Sequence, residues 1–186
     1  NYSGQLGDGT RVDRNTPAQI GAATNWTAIA AGYGHTIALK SDGTVWAWGD
    51  NLYGQSGHGM YVWYLTPTQV GPNMNWAAIA AGANCNYTVA LKSDGTLWAW
   101  GWNYEGQLGD GTTEQKYTPT QIGTDTSWAA IAGSQMHTVA LKSDGTLWAW
   151  GHNWCGELGD GTTPNKNTPI QVGAATNWAK ITAGSM

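Results

Sequence analysis

The sequence contains no phenylalanine, few charged residues and no long apolar run. Lys and Arg together number 8, Asp and Glu number 12, and charged residues make up 11% of the chain. A nucleic-acid-binding protein needs clustered basic residues to neutralise phosphates, so we expect no nucleic-acid partner. No apolar run approaches the roughly 20 residues of a membrane-spanning helix, so we expect no membrane insertion.

Cysteine is equally scarce, since Cys85 and Cys155 are the only two. Two cysteines are too few for a disulfide framework, and their spacing is not that of a zinc site. They leave the cellular compartment unknown; we expect a secreted or cell-surface location slightly ahead of the cytoplasm. In their place the sequence has 13 Trp, 8 Tyr and 27 Gly, the composition of a turn-rich all-β protein.

The chain repeats itself about every 50 residues. A Gly-x-Gly turn recurs at 7–9, 57–59, 109–111 and 159–161, in steps of 50, 52 and 50 residues. The segments WAWG and LKSDGT each occur three times in the same register, WAWG starting at residues 46, 98 and 148. A period of this length, built from short strand-like runs and Gly-rich turns, indicates a β-propeller or a related array.

Each complete repeat contains four predicted strands, A to D. In the first repeat we predict them at 26–31, 36–40, 45–49 and 67–70, with a D strand before it and an A strand after the third repeat. Small residues suit strand A near a propeller axis, and Ser-Asp-Gly-Thr between B and C is a hairpin turn. In strand C the side chains alternate, so both sides are apolar and each sheet must lie between two others. We therefore place Trp48, Trp100 and Trp150 between blades.

The motif density supports a specific family resemblance. Residues 32–57 include Gly34-His35-Thr36, Asp42-Gly43, Trp48-Gly49 and Gly54-Gln55, and the run returns at 134–159. This pattern resembles the repeat of the RCC1 family (regulator of chromosome condensation), whose members look like seven-bladed propellers with about 50 residues per blade. This chain departs from the pattern where Tyr87 replaces the repeat His and Glu157 replaces Gln.

The resemblance implies one all-β, RCC1-like repeat domain over residues 1–186. Its repeats are 1–50, 51–102, 103–152 and a partial repeat at 153–186. That amounts to about three full four-stranded blades with flanking strands, as part of a seven-bladed propeller. Because blades need neighbours, we expect a piece of a longer polypeptide. The alternatives are a self-assembling half-propeller or an open array, with further blades from the same or another chain.

The repeats differ from one another mainly in the loops between strands A and B and between C and D. Successive connections alternate ends, so these two loop types share one face and the unvarying KSDG turns lie on the other. Aromatic, variable loops on a rigid scaffold are typical of recognition surfaces. The alternative is that loops under little constraint have simply drifted in sequence. A third, weaker variable set covers 60–65, 113–117 and 163–167. The predicted partner-binding residues are Tyr33, Tyr53, Asn84, Tyr87, Trp102, Tyr104, Gln135, Met136, His152 and Trp154.

We expect a non-enzymatic scaffold with no catalytic residue, metal or cofactor, which binds an unknown protein partner. The repeated His35 and His137 are interpreted as structural, and the Asp residues of the turns bond their own backbone. A carbohydrate-binding propeller stays open, because exposed Trp and Tyr beside Asn suit sugar stacking. A guanine-nucleotide exchange factor for a small GTPase also stays open, because some RCC1 members have that role. Others resemble ultraviolet sensors, but the Trp of their Gly-Trp-Arg-His-Thr pattern is replaced here by Tyr33 and Gln135.

Overall fold

The structure, a computed structural model, describes residues 1–59, 61–72, 75–82 and 84–184. These residues form twelve strands in three four-stranded antiparallel sheets, and none of them is helical. The strands are β1 (Trp26–Ala31), β2 (His35–Lys40), β3 (Val45–Gly49), β4 (Tyr64–Gln69), β5 (Trp76–Ala80), β6 (Tyr87–Lys92), β7 (Leu97–Gly101), β8 (Lys116–Gln121), β9 (Trp128–Gly133), β10 (His137–Lys142), β11 (Leu147–Gly151) and β12 (Lys166–Gln171). Each sheet keeps its four strands in chain order, which confirms the predicted all-β propeller blades. Within these residues there is no helix able to cross a membrane.

We name the sheets blade 1 (β1–β4), blade 2 (β5–β8) and blade 3 (β9–β12). In blade 1 the predicted strands A and C match β1 and β3, and β2 begins one residue earlier than predicted. Strand D differs more, because β4 begins at Tyr64 and not at residue 67. A register irregularity after Ala47 brings Gly49 opposite Tyr64, so the outer strand is longer and the C–D loop shorter than predicted.

The two additional flanking strands are not formed. Residues 17–20, which have the sequence of a D strand, and residues 178–183, which have that of an A strand, are irregular. A strand exists by pairing its backbone groups with a neighbouring strand. Within the described part of the chain neither segment has such a neighbour, although Trp178 N still donates to the Gly145 carbonyl at 3.4 Å.

The hydrophobic core lies between blades. Trp100 of blade 2 belongs to a buried cluster with Ile37 and Val45 of blade 1, whereas Leu97 faces blade 3 and packs in a cluster with Trp150. The predicted alternation in strand C is therefore confirmed, and Trp48, Trp100 and Trp150 are all buried.

A repeated set of hydrogen bonds fastens each blade to the Gln-containing loop that precedes it in the chain. The indole N–H of the second strand-C Trp donates to the Gln backbone carbonyl, in the pairs Trp48–Gln5 (2.9 Å), Trp100–Gln55 (3.0 Å) and Trp150–Gln107 (2.9 Å). A strand-B Thr hydroxyl donates to the same carbonyl, in the pairs Thr36–Gln5 (2.8 Å), Thr88–Gln55 (2.9 Å) and Thr138–Gln107 (2.8 Å). We call this arrangement the inter-blade joint. It ties strands B and C of each blade to the loop that precedes that blade in the chain.

A glycine completes each joint. Gly109 lies two residues after Gln107 with φ +81, and a Cβ placed there would lie 2.6 Å from the Trp150 indole nitrogen. Gly123, after strand β8, has φ +63 but nothing within 4 Å of the same position. A side chain at either glycine would therefore strain the backbone, but only a side chain at Gly109 would also collide with a neighbouring residue.

We expect Gly109→Ala to destabilise the protein more than Gly123→Ala. Both introduce a side chain at positive φ, which costs about 1–2 kcal/mol, and only Gly109→Ala also overpacks the Trp150 ring, which costs a further 1–3 kcal/mol or so. Urea unfolding followed by circular dichroism measures both. Equal losses for the two variants would show that the glycine–Trp contact is not part of the joint.

Candidate recognition surface

The variable loops lie together at one end of the blades. The A–B loops (32–34, 81–86 and 134–136) and the C–D loops (50–63, 102–115 and 152–165) follow alternate strands of antiparallel sheets, so they lie at the same end. We call this end the loop face. Met60 and Ala83, which belong to two of the variable segments, lie outside the described residues.

A buried asparagine braces each long C–D loop. Asn103 is fully buried, its Oδ1 accepts the N–H of Leu108 at 2.9 Å, and its amide donates to Asp110 and to the Thr112 carbonyl, both at 3.1 Å. Asn153 makes the same contacts in blade 3. The Asp at the loop turn binds its own backbone as predicted, and hydrogen bonds from Thr162 lower the pKa of Asp160 to about 2. The loop tips therefore rest on a fixed internal framework.

Three of the predicted residues form a continuous aromatic strip across blades 1 and 2. The ring of Trp102 lies 6.2 Å from that of Tyr53 and 5.7 Å from that of Tyr104, measured between centroids. Tyr53 belongs to the C–D loop of blade 1, and the other two belong to that of blade 2. The side chain of Tyr104 is 60% exposed, and its hydroxyl accepts a 3.4 Å hydrogen bond from the Gln115 amide.

The strip continues through residues that the predicted site omitted. Tyr117 donates to the Gln115 side chain at 3.3 Å, and its ring lies 5.1 Å from that of Tyr61. The two Tyr hydroxyls are 2.6 Å apart, and this hydrogen bond raises the pKa of Tyr117 to about 12. The sequence carried a signal for both residues, because they fall in the third variable segment. We use aromatic strip for Tyr53, Trp102, Tyr104, Tyr117 and Tyr61 together.

The predicted residues of the A–B loops occupy a different part of the loop face. Tyr33 is exposed, and its backbone N–H donates to the Cys85 carbonyl at 2.9 Å, which links the A–B loops of blades 1 and 2. Asn84 is exposed with φ +60, whereas Gln135 and Met136 are half-buried. The structure thus keeps all four on the predicted face, on loops other than those of the strip.

Blade 3 presents one aromatic residue at this end. Trp154 is 70% exposed, and its ring centroid lies 5.2 Å from that of His152. His152 itself is buried, and its Nδ1 lies 2.7 Å from Oε1 of Glu157. The prediction that His152 forms part of the exposed surface is therefore wrong, because the carboxylate of the same loop draws the imidazole inward. Its role is to support Trp154.

The placement of Tyr87 on the surface is also wrong. Tyr87 is 1% exposed, its hydroxyl donates to the His137 carbonyl at 2.6 Å, and it lies 3.0 Å from the Thr138 hydroxyl of blade 3. Tyr87 occupies the position of the repeat His, and His35 likewise reaches Thr88 of the next blade at 3.1 Å. Burial lowers the pKa of His35 to about 4, so it is neutral and structural. The sequence did carry a signal for the burial of Tyr87, because Tyr87 stands where the other two repeats have a His that we interpreted as structural.

Ser134 and His137 form a close polar pair on this face. Ser134 Oγ lies 2.7 Å from His137 Nδ1, but it also accepts the backbone N–H groups of Met136 and His137, which makes it a buried turn cap. In the described residues no three His, Cys, Asp or Glu side chains are grouped so that they could hold a metal ion.

Stacked four-stranded blades with joints between successive blades define the fold as that of a β-propeller. The family model described as the regulator of chromosome condensation (RCC1) repeat matches residues 1–39, 42–91, 94–141 and 144–186. A second model of the same description matches residues 26–55, 76–107 and 128–157. The chain belongs to the RCC1-repeat family.

Two relatives of the chain are much longer proteins. The chain is 32% identical over 121 residues to the ultraviolet-B receptor UVR8 of Arabidopsis thaliana, which covers 64% of the chain and 28% of that protein. It is 31% identical over 123 residues to the human E3 ubiquitin-protein ligase HERC2, covering 64% of the chain and 2% of HERC2. The chain therefore spans less than a third of either relative.

Solved structures show the same fold. Human WBSCR16 superposes with a TM-score of 0.79 at 24% identity, covering 92% of the chain and 45% of that structure. Prp20p of Saccharomyces cerevisiae superposes with a TM-score of 0.70 at 21% identity, covering 81% of the chain and 39% of that structure. These matches are RCC1-like propellers.

Both cysteines are free, and their environments differ. Cys85 is buried, its Sγ accepts the Gly82 N–H at 3.0 Å, and burial raises the pKa of this thiol to about 11. Cys155 is exposed on the C–D loop of blade 3. A thiol reacts as its thiolate and only where a reagent can reach it.

We expect a thiol reagent at pH 8 to label one cysteine, Cys155, in the folded protein and both in urea. Mass spectrometry of the labelled peptides identifies the site, and Cys155→Ser is the control that should abolish native labelling. Rapid native labelling of Cys85 would contradict its placement in the core.

Proposed function

We propose that this chain is a non-enzymatic RCC1-repeat scaffold that binds a protein partner through its loop face. The observation that carries the proposal is the aromatic strip on Asn-braced loops. Tyr and Trp provide a large contact area at a low cost in side-chain entropy, and they dominate the binding energy of protein interfaces. A rigid scaffold limits the entropy lost when a partner binds.

The opposite end of the blades lacks this character. In blade 2, Asp94 accepts the Thr96 hydroxyl at 2.7 Å, and Thr96 in turn accepts the Trp98 indole N–H at 2.9 Å. Lys92 Nζ lies 3.5 Å from the centroid of the Trp98 ring. The same contacts recur in blades 1 and 3. The Asp, Thr, Trp and Lys side chains at this end thus interact with one another within each blade, which supports a structural role for that end.

Relatives support a protein partner over other ligand classes. Prp20p has binding properties toward Gsp1p and histones, and it has been solved bound to Kap60. A protein that shares the fold of this chain therefore binds other proteins. We extend this general property, and none of those particular partners, to the loop face.

The test is a double variant on the loop face, Tyr104→Ala with Trp154→Ala. Both side chains are well exposed, so the melting temperature should change little, whereas partner binding should fall at least about tenfold, or roughly 1.4 kcal/mol. Chemical cross-linking in an extract of the source cells, read by mass spectrometry, measures partner capture. The matched control is Trp178→Ala, which removes an exposed indole. The backbone N–H of Trp178 donates to Gly145 in the B–C turn of blade 3, at the end opposite the loop face, so capture should stay intact.

Three outcomes would contradict the proposal. Capture that survives the double variant would place the partner elsewhere. Binding to a glycan array that the double variant abolishes would favour the carbohydrate-binding alternative. Accelerated nucleotide release from a small GTPase would favour the exchange-factor alternative.

A further inference from the structure

One end of the aromatic strip has hydrogen-bond donors that meet no acceptor in the described residues. They are the side-chain O–H groups of Tyr53 and Tyr104 and the indole N–H of Trp102. The Tyr104 oxygen accepts the Gln115 amide at 3.4 Å, which leaves its own proton free to donate. The side chains of Tyr53 and Trp102 make no hydrogen bond within the described part of the chain, and neither donor atom is buried. We call these three side chains the donor cluster.

The other end of the strip has already used its donors. The Tyr61 hydroxyl donates to the Tyr117 oxygen at 2.6 Å, and Tyr117 donates to Gln115 Oε1 at 3.3 Å. Gln115 in turn donates to Tyr104 through its amide. This series of hydrogen bonds ends on the Tyr104 hydroxyl, so the unused donors lie next to one another where the loops of blades 1 and 2 meet.

A negative charge lies in the same loop as two members of the donor cluster. Glu114 follows Trp102 and Tyr104 in the C–D loop of blade 2, its side chain is exposed, and no described cation pairs with it. Lys116, two residues further on, is engaged by Asp110, whose carboxylate lies 3.0 Å from the lysine Nζ. The surface therefore offers apolar rings, hydrogen-bond donors and an unpaired carboxylate.

A ligand that complements this surface must be apolar, rich in acceptors and poor in donors. A proline-rich segment meets these conditions, because proline has an apolar ring and no backbone N–H. In the polyproline II conformation its carbonyls make no internal hydrogen bonds, so they are free to accept. A sugar fits less well, because each hydroxyl is a donor as well as an acceptor. An extended strand has the same disadvantage, since its backbone N–H groups need acceptors.

The spacing of the rings also suits a polyproline II helix. The ring of Trp102 is tilted by 46° to that of Tyr53 and by 64° to that of Tyr104, so the rings form ridges with clefts between them. The centroids follow one another at 6.2 and 5.7 Å. One turn of the helix rises about 9 Å, so the donor cluster spans about one turn. Buried Asn51 and Asn103 brace the two loops, which limits the entropy lost on binding.

We propose that the donor cluster binds a proline-rich segment of the protein partner in the polyproline II conformation, with a Lys or Arg residue beside the prolines that pairs with Glu114. Proline rings occupy the clefts between the aromatic rings, and backbone carbonyls accept the three free donors. Aromatic surfaces suit such segments because the helix is preformed and loses little entropy. This inference names the class of partner segment and rests on the proposed function of the loop face.

A fluorescein-labelled peptide of ten L-prolines tests the proposal, with the same peptide made of D-proline as the matched control. The two peptides have the same composition, but the D-peptide forms a helix of the opposite hand. Fluorescence anisotropy with the complete 186-residue chain should show saturable binding of the L-peptide. The D-peptide should bind at least about tenfold more weakly.

Substitutions that remove the donors and keep the rings test the hydrogen bonds. The triple variant Tyr53→Phe, Trp102→Phe and Tyr104→Phe should bind the L-peptide at least about tenfold more weakly. Tyr104→Phe alone changes an exposed side chain that leaves the fold intact, and it should weaken binding about two- to tenfold. Tyr2→Phe makes the same change at a side chain that is 75% exposed outside the strip, and it should leave binding unchanged.

The charge next to the prolines is tested separately. Two Arg residues added to one end of the L-peptide should tighten binding about two- to fivefold, the gain expected of an exposed ion pair. Glu114→Gln should remove this gain and leave the binding of the plain L-peptide unchanged. A gain that persists in Glu114→Gln, or no gain from Arg at either end, would overturn the pairing with Glu114.

The proposal is overturned if the L-peptide does not bind, if the D-peptide binds equally well, or if the triple variant binds like the unmodified protein. A glycan that binds and is lost in the triple variant would assign the donor cluster to a carbohydrate instead. Partner capture that is lost in Tyr104→Ala with Trp154→Ala, together with no L-peptide binding, would leave the proposed function standing and overturn this inference alone. Capture that survives that double variant would overturn the proposed function.

Discussion

The structure depends on a buried backbone carbonyl in the C–D loop of one blade, which accepts hydrogen bonds from the next blade. The Gln55 carbonyl accepts the Trp100 indole at 3.0 Å and the Thr88 hydroxyl at 2.9 Å, and both donors belong to blade 2. A buried carbonyl without a partner costs about 1–3 kcal/mol, so the loop and the following blade stabilise each other. Stability of this kind resides in the interfaces between repeats, as in other repeat proteins.

The same joint explains why the loop face can vary while the scaffold does not. In blade 2 the C–D loop begins near the braced Asn103, carries the variable tip, and then reaches Gln107, Leu108 and Gly109 at the joint. In blade 2, Asn103, Gln107 and Leu108 are fully buried, whereas Tyr104 between them is exposed. Burial therefore constrains the framework of the loop, whereas the exposed tip can vary from one repeat to the next.

Much of the fold could be predicted from the sequence, because a comparison of the repeats with one another shows which positions stay the same. The alternation of Trp and Leu in strand C correctly predicted an inter-blade core, and the antiparallel order correctly predicted which loops share a face. The outer strands were harder, since β4 and β8 are paired on one side only and their starts depend on a register irregularity that leaves no sequence signature.

The exposed residues of the loop face were predicted less completely, because the position of a residue in a loop does not determine the direction of its side chain. Tyr87 and His152 lie in the predicted segments, yet both are buried. Tyr87 hydrogen-bonds to blade 3, and His152 lies against the carboxylate of Glu157. Conversely, Tyr61 and Tyr117 pair across 56 residues of sequence, and only the folded arrangement of two blades brings their hydroxyls together. Sequence comparison between repeats identified the variable positions, and packing decided which of them are exposed.

The central claim is that two donors from one blade share one carbonyl of the preceding loop, and a double-mutant cycle tests it most directly. Thr88→Val and Trp100→Phe each remove one donor and leave the Gln55 carbonyl with the other, whereas the double variant leaves it unpaired. Urea unfolding of the four proteins should show the double variant less stable than the sum of the single effects by about 1 kcal/mol or more. Additivity within about 0.3–0.5 kcal/mol would contradict the shared joint.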